Sequence, residues 1–308
     1  MTNSLPETGF ENKEQVVTVE SDFESLEGAH PTIEVDKNAP GLFLFDIDGT
    51  LINAKAIHGP AVISLYKEVF SLDKLDEKEF ANIFKQTWFN HWGPGDRLEH
   101  EMLCNSFNLD LGSEEQKKAI IDRLVEGYGR KMEDIMKASS EEDKAEMLLP
   151  GVREFLDETK KRKIPSAIVT GNVKQSAEAL IKCLDLAKYF IAGGFDDDSG
   201  VRNEPMRRAN ILESAITKCE AKGINFPTNK MAVFGDTPKD FLATLHRNDG
   251  LRPYTFLVAT GEHELTKLGG LNEGGDKRPY LAMPSFAHLD RKKFFESLYT
   301  GDYKKIEL

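Results

Sequence analysis

Cysteine is scarce. Only Cys104, Cys183 and Cys219 occur in 308 residues, widely spaced and with no Cys-x-x-Cys pair. That excludes a zinc ribbon or a disulfide framework as the source of stability and suits the reduced thiols of a cytoplasmic protein. Long apolar runs are missing too, since no stretch approaches the ~20 residues that a spanning helix needs. The N-terminus is acidic and lacks an apolar core, which argues against a secretory signal or an Arg-rich transit peptide. Lys and Arg gather in one short run, Lys160-Lys161-Arg162-Lys163. This fits a solvated helix end, where cations complement the dipole, better than a surface for phosphate backbones. Neither a membrane nor a nucleic acid is expected as a partner.

The acidic excess is uneven. Of a net charge of −12, residues 1–40 hold −7, from nine Asp or Glu against Lys13 and Lys37. With few apolar positions, this segment is expected to stay a disordered acidic tail. Beyond it the pattern changes. Leu42-Phe43-Leu44-Phe45, Ser166-Ala167-Ile168-Val169, Phe190-Ile191-Ala192, Met231-Ala232-Val233-Phe234 and Tyr254-Thr255-Phe256-Leu257-Val258 are short, continuous apolar runs, and Tyr280-Leu281-Ala282 is a sixth candidate. Runs of this kind suit strands covered on both faces. Helical patterns over 151–163, 173–186, 206–222 and 238–248 alternate with them. The expected fold is therefore α/β, a doubly wound, Rossmann-like parallel sheet. Residues 58–147 break the alternation. Val62, Leu65, Tyr66, Val69 and Phe70 recur at helical spacing, as do Phe80, Ile83, Phe84, Thr87 and Trp88, while Asp76…Glu79 and Ser113…Gln116 read as capping boxes. An all-helical insertion of four or five helices is expected there, in a core of 41–57 and 148–308. The chain is read as a monomer or homodimer.

The chemistry gathers at strand ends. Asp46 and Asp48 follow the first apolar run, and Gly49 and Thr50 supply a tight turn. Two carboxylates two residues apart can converge on one ligand, and the carboxyl ends of parallel strands are where ligands bind. Their repulsion is relieved by a hard cation such as Mg²⁺ or by retaining one proton. Val169-Thr170-Gly171-Asn172 ends the next run and opens a helix, which makes an anion cradle or a plain turn and cap. Gly235-Asp236-Thr237-Pro238-Lys239-Asp240 ends another, with Pro238 suited to a first helical turn.

Phe45-Asp46-Ile47-Asp48-Gly49-Thr50-Leu51 resembles motif I of the haloacid dehalogenase-like hydrolases, phosphoglycolate phosphatase-like branch. The resemblance covers residues 41 to about 290, in the family's order. It implies a Mg²⁺-dependent phosphatase acting on a small phosphorylated metabolite. Asp46 would be the nucleophile, and Asp48 the acid and base whose backbone carbonyl also meets Mg²⁺. Thr170, Gly171 and Asn172 would bind phosphate, and Asp46, Asp48 and Asp236 the metal, with Asp240 in support. The insertion resembles the family's helical cap. The family also needs a cation beside the nucleophile. Arg202 is the choice by position and Arg207 the alternative; no Lys-Pro pair is present. In the insertion, His91 or Arg97 could meet an anionic substrate, although Trp88 and Trp92 around them read more simply as helix-core positions. A phosphomutase, another phosphotransferase or a non-catalytic binding protein of this fold are the competing readings.

Overall fold

The computed structural model describes residues 16–70, 77–88, 95–201, 206–245, 252–261, 263–272 and 280–300. Two strands come first, β1 (Val16–Glu20) and β2 (Thr32–Asp36), followed by β3 (Leu42–Phe45). Five helices follow: α1 (Lys55–Phe70), α2 (Glu77–Trp88), α3 (Asp96–Ser106), α4 (Glu114–Ala138) and α5 (Glu141–Met147). Then come α6 (Val152–Lys161), β4 (Ser166–Val169), α7 (Lys174–Cys183), β5 (Ala192–Gly194), α8 (Met206–Ala221), β6 (Met231–Gly235) and α9 (Pro238–Leu245). The chain ends on β7 (Tyr254–Val258), α10 (Leu265–Gly269), β8 (Tyr280–Met283) and α11 (Arg291–Thr300). No helix among the described residues is long and apolar enough to cross a membrane.

Six strands form one parallel sheet in the order β5-β4-β3-β6-β7-β8. Strands β3, β4 and β6 are buried at every position, which is why their sequences run apolar without alternation. The chain leaves β3 toward β4 and β5, then returns to the other side of β3 as β6. The carboxyl end of β3 is thus the switch point of the sheet, where a crevice opens. Aromatic stacking fixes the register there. Phe45 pairs with Phe234 across β3 and β6 and stacks on it at 4.6 Å, while Phe155 packs edge-on against both. Asp46 follows directly and its N–H donates to Phe234 O at 2.9 Å. The nucleophile candidate is therefore set by a packed aromatic layer rather than by a free loop.

The expected helical stretch is present as α1–α5. Ser113 and Gln116 form the anticipated capping box at the start of α4, and α6 ends on Lys160 and Lys161. The Asp76…Glu79 box, Trp92 and His91 lie outside the described residues. The third strand is displaced: Phe190 and Ile191 precede β5 rather than forming it.

The tail expectation is corrected for residues 16–40. They are not a solvated extension. β1 and β2 pair antiparallel, from Val16↔Asp36 to Glu20↔Thr32, and bury Val19, Ile33 and Val35. The segment is bound along the β5 edge. Asp22 N–H donates to Ile191 O at 3.2 Å, Ser21 Oγ donates to Phe190 O at 2.6 Å, and Phe23 packs edge-on against Phe190 and Phe195. An average over forty acidic residues hid two five-residue strands whose β-branched residues suit a half-buried surface. Covering an open sheet edge also removes a template for misassociation. Phe23→Ala is expected to cost about 3–5 kcal/mol in urea unfolding; a solvated tail would give a change within error.

Candidate active site

Asp46 and Asp48, both nearly buried, line one cavity of about 30 Å³ with Thr170, Gly171, Asn172 and Arg208. The turn after β3 brings the first two together. Gly49 takes φ 76°, and a Cβ at that position would fall 2.2 Å from Asp236 Oδ2, so only glycine lets the loop close onto the β6 end. Asp48 is held from two sides. Asn172 Nδ2 donates to its Oδ2 at 2.7 Å, and His58 Nε2 lies 3.2 Å from its Oδ1. His58 is itself tied through Nδ1 to the Tyr128 hydroxyl of α4.

Asp46, Asp236 and Asp240 each bring a carboxylate oxygen within 4.8 Å of the others, all buried. Arg208, in the first turn of α8, reaches Asp46 Oδ1 at 3.4 Å and Asp240 Oδ1 at 3.5 Å. Asp240 also accepts from the N–H and hydroxyl of Thr237, at 3.0 and 2.8 Å. Burial raises the Asp46 carboxyl well above the usual range, Arg208 opposes this, and Asp240 and Asp48 add to it. Burial raises Asp236 likewise, reinforced by Asp46 and Asp240. Asp236 Oδ1 accepts a long bond from Thr50 at 3.5 Å, while Oδ2 is fully buried with no hydrogen-bond partner among the described residues. One guanidinium among three converging carboxylates leaves an acidic excess, and an orphaned buried oxygen costs on the order of 1–3 kcal/mol. A hard divalent cation bound by oxygen ligands resolves both, so these residues fit Mg²⁺.

A family model described as haloacid dehalogenase-like hydrolase matches residues 41–245. The chain belongs to the haloacid dehalogenase-like hydrolases. Solved structures of similar fold include CbbY from Rhodobacter sphaeroides in complex with phosphate, at 17% identity and TM-score 0.54, covering 80% of this chain and 95% of that one. A predicted phosphatase from Clostridium acetobutylicum aligns at 16% identity and TM-score 0.53, over 85% of this chain and 100% of the other. The β-phosphoglucomutase of Clostridium difficile aligns at 14% and 0.52, over 85% and 98%. Among curated proteins, none matches the chain.

Within this hydrolase, the strand-end residues expected from the sequence come together: Asp46, Asp48, Thr170, Gly171 and Asn172 line the cavity, and Asp236 and Asp240 join Asp46 beneath it. The Asp48 carboxylate is engaged by Asn172 and His58, and Asp240 completes the carboxylate cluster with Asp46 and Asp236. The Asn172 amide serves Asp48, and its N–H donates to Thr170 Oγ1 at 3.2 Å.

Of the two arginines expected to supply the cation, Arg207 is the one among the described residues. Arg202 lies outside the described residues. Arg207 forms a buried ion pair with Asp196, and the adjacent Arg208 meets Asp46. Consecutive helical residues point about 100° apart, so one of the two faces the sheet end and the other the neighbouring loop. Arg97 does not line the cavity. Its guanidinium pairs with Asp122 and Asp197 and is 42% exposed.

Three contributors went unread. His58, Asp96 and Glu99 line the cavity, the first from α1 and the others from α3. His58 shares the buried stripe of Ala61, Val62, Leu65 and Tyr66. A histidine on an apolar stripe ten residues after Asp48 was the available signal.

Proposed function

We propose that this hydrolase is a Mg²⁺-dependent phosphatase that removes phosphate from a small phosphorylated metabolite through an aspartyl-phosphate on Asp46. The observation carrying this reading is the cavity itself, where a carboxylate, the Thr170-Gly171 turn, one guanidinium and a separately held second carboxylate come together.

Each residue then has a task. Asp46 Oδ attacks phosphorus in line, and the bond to the leaving oxygen breaks. Asp48, oriented by Asn172 and His58, gives that oxygen its proton and then takes one from the water that attacks the acyl phosphate, releasing inorganic phosphate and restoring the Asp46 carboxylate and the protonated Asp48. Thr170 and Gly171 sit at the mouth of α7, where hydroxyl and N–H groups suit the transferring oxygens. Arg208 offsets negative charge on Asp46 and the phosphoryl group. Mg²⁺ bound by Asp46, Asp236 and the Asp48 carbonyl, with Asp240 in support, would neutralise the remaining charge as the two anions approach. The helices over 58–147 act as the lid that excludes water and selects the substrate.

The test is phosphate release from a generic aryl phosphate and from a panel of metabolite phosphates, with Mg²⁺ and with EDTA. Turnover that requires Mg²⁺, with a beryllofluoride adduct on Asp46, is expected. Turnover unaffected by EDTA, or an adduct on another residue, would overturn the assignment. Transfer to a sugar hydroxyl in place of water would move the reading to a phosphomutase.

A further inference from the structure

We propose that Asp96 is a positioning residue, the catch that seats the first turn of α3 on the phosphate cradle and holds the helical layer shut over Asp46. Its consequence for turnover rests on the phosphatase reading; its contacts do not.

The contacts join two parts of the chain far apart in sequence. Asp96 Oδ2 accepts the Val173 N–H at 2.9 Å, across 77 positions. Val173 precedes α7 and contributes no side-chain cap of its own, so a carboxylate from the helical insertion completes the entry of a core helix. In return, the Asp96 N–H donates to Gly171 O at 3.3 Å. The next N–H, of Arg97, reaches Asp196 Oδ2 at 3.5 Å. Asp196 is anchored by Arg207 and by its own N–H to Asn172 O at 3.0 Å. The start of α3 is thus fastened to the loop that carries Thr170, Gly171 and Asn172, and Asp96 makes two of the three links. Both partners are backbone groups of the cradle, so the catch senses the cradle's geometry.

Gly95 makes the approach close enough. Its φ is 96°, and a Cβ there would fall 1.9 Å from Arg207 Nη2. Asp96 is only 2% exposed, so its hydrogen bonds form away from competing water. With α3 seated, the cavity holds about 30 Å³. Room for one water takes roughly 10–15 Å³ by the same measure, so the space beside Asp46 suits a phosphoryl-sized group while α3 is seated. Lifting the α3 turn would widen this space, and seating it would narrow it again around the phosphoryl group.

The test is amide hydrogen exchange on the full chain with Asp96→Ala, Asp96→Asn and Gly95→Ala, together with steady-state kinetics on an aryl phosphate. Loss of a hydrogen bond to a charged group opens a contact by about tenfold or more. Asp96→Ala is expected to speed exchange at both Val173 and Arg97 by that factor and to lower kcat about tenfold, with KM moving less. Asp96→Asn, which keeps an acceptor, should recover most of both. Gly95→Ala leaves Asp96 in place but should lift the same turn and raise Arg97 exchange. Asp122→Ala, which removes one of the two exposed partners of Arg97, should leave exchange and turnover unchanged. Faster exchange at Val173 alone would mean that Asp96 merely caps α7, and the proposal would fall. It would fall equally if Asp96→Asn matched Asp96→Ala. The exchange result decides the point even if no phosphate ester is turned over, so failure here and failure of the phosphatase reading are separable.

Discussion

Asp46→Asn is expected to lower kcat for phosphate release by roughly 10⁴-fold or more and, in EDTA, to raise the melting temperature. The two effects have one cause. The carboxylate needed for attack is buried at the end of β3, among Asp48, Asp236 and Asp240, with Arg208 as its cation. Burial and the neighbouring charges hold its pKa above the unfolded value. An acid with a raised folded pKa keeps its proton in the native state after the unfolded chain has lost it. Its contribution to stability is therefore greatest at low pH and falls as pH rises from the ordinary carboxylate range through the folded pKa. Asn carries no such penalty. The gain of the variant over wild type should accordingly be larger at pH 8 than at pH 4. About 1 kcal/mol would appear as a shift of about 2–4 °C in a domain of this order of size. Adding Mg²⁺ should shrink the difference, because the wild-type cluster is then neutralised. Differential calorimetry at two pH values, with and without Mg²⁺, reads all of this. An Asn variant that is inactive and also destabilised in EDTA would show that Asp46 is a structural linchpin rather than a strained functional group.

How far the site could be read from sequence follows from how each residue is held. Asp46, Thr170 and Asp236 each end an apolar strand, and a parallel sheet gathers such ends at one edge whatever the connections do. Asp48 and Asp240 follow within a turn. For these five, local spacing and fold class together were sufficient. His58, Arg208 and Asp96 sit on helices, and what matters for them is which face turns inward. The Arg208–Asp46 contact spans 162 positions and the Asp96–Val173 contact 77, so no local pattern encodes either. A partial signal did exist for Arg208. It lies three, four, seven and eleven positions before Ile211, Leu212, Ala215 and Cys219, all buried on α8, which places it on the stripe facing the sheet. Weighting the choice by loop position led instead to Arg202 and Arg207. The β1–β2 hairpin was missed for a different reason. Val17, Val19, Ile33 and Val35 alternate as strand residues should, but acidic neighbours outweighed them in the segment average, and what makes the pair worth forming is the β5 edge, reached across 169 positions by the Ser21–Phe190 bond.

Arg208→Ala is the second large effect, and it separates the three arginines. Breaking a buried ion pair costs about 3–5 kcal/mol, because the charges left behind have lost their compensation. Here one side chain serves two acids, Asp46 and Asp240, so the loss should sit at the upper end of that range in EDTA and be smaller with Mg²⁺ present. Catalysis should fall by about 10²–10³ in kcat/KM, the scale of removing one preorganised donor from a transition state. The acid limb of the pH profile should move as well. Arg208 is the larger of two influences, with the Ile47 backbone bond, that lower the Asp46 pKa against burial; without it the carboxyl is protonated to higher pH, and the limb shifts upward. Arg208→Lys keeps the charge but not the fork, and one ammonium cannot bond Asp46 and Asp240 in the same geometry. Partial recovery of stability with little recovery of rate is therefore expected. Arg207→Ala should weaken the Asp196 anchor and leave the acid limb where it is, since its partner is not the nucleophile. Arg202→Ala at the wild-type rate beside an impaired Arg208→Ala would complete the assignment. The reverse outcome would return the role to Arg202 and leave the Arg208 contacts as scaffolding for the carboxylates.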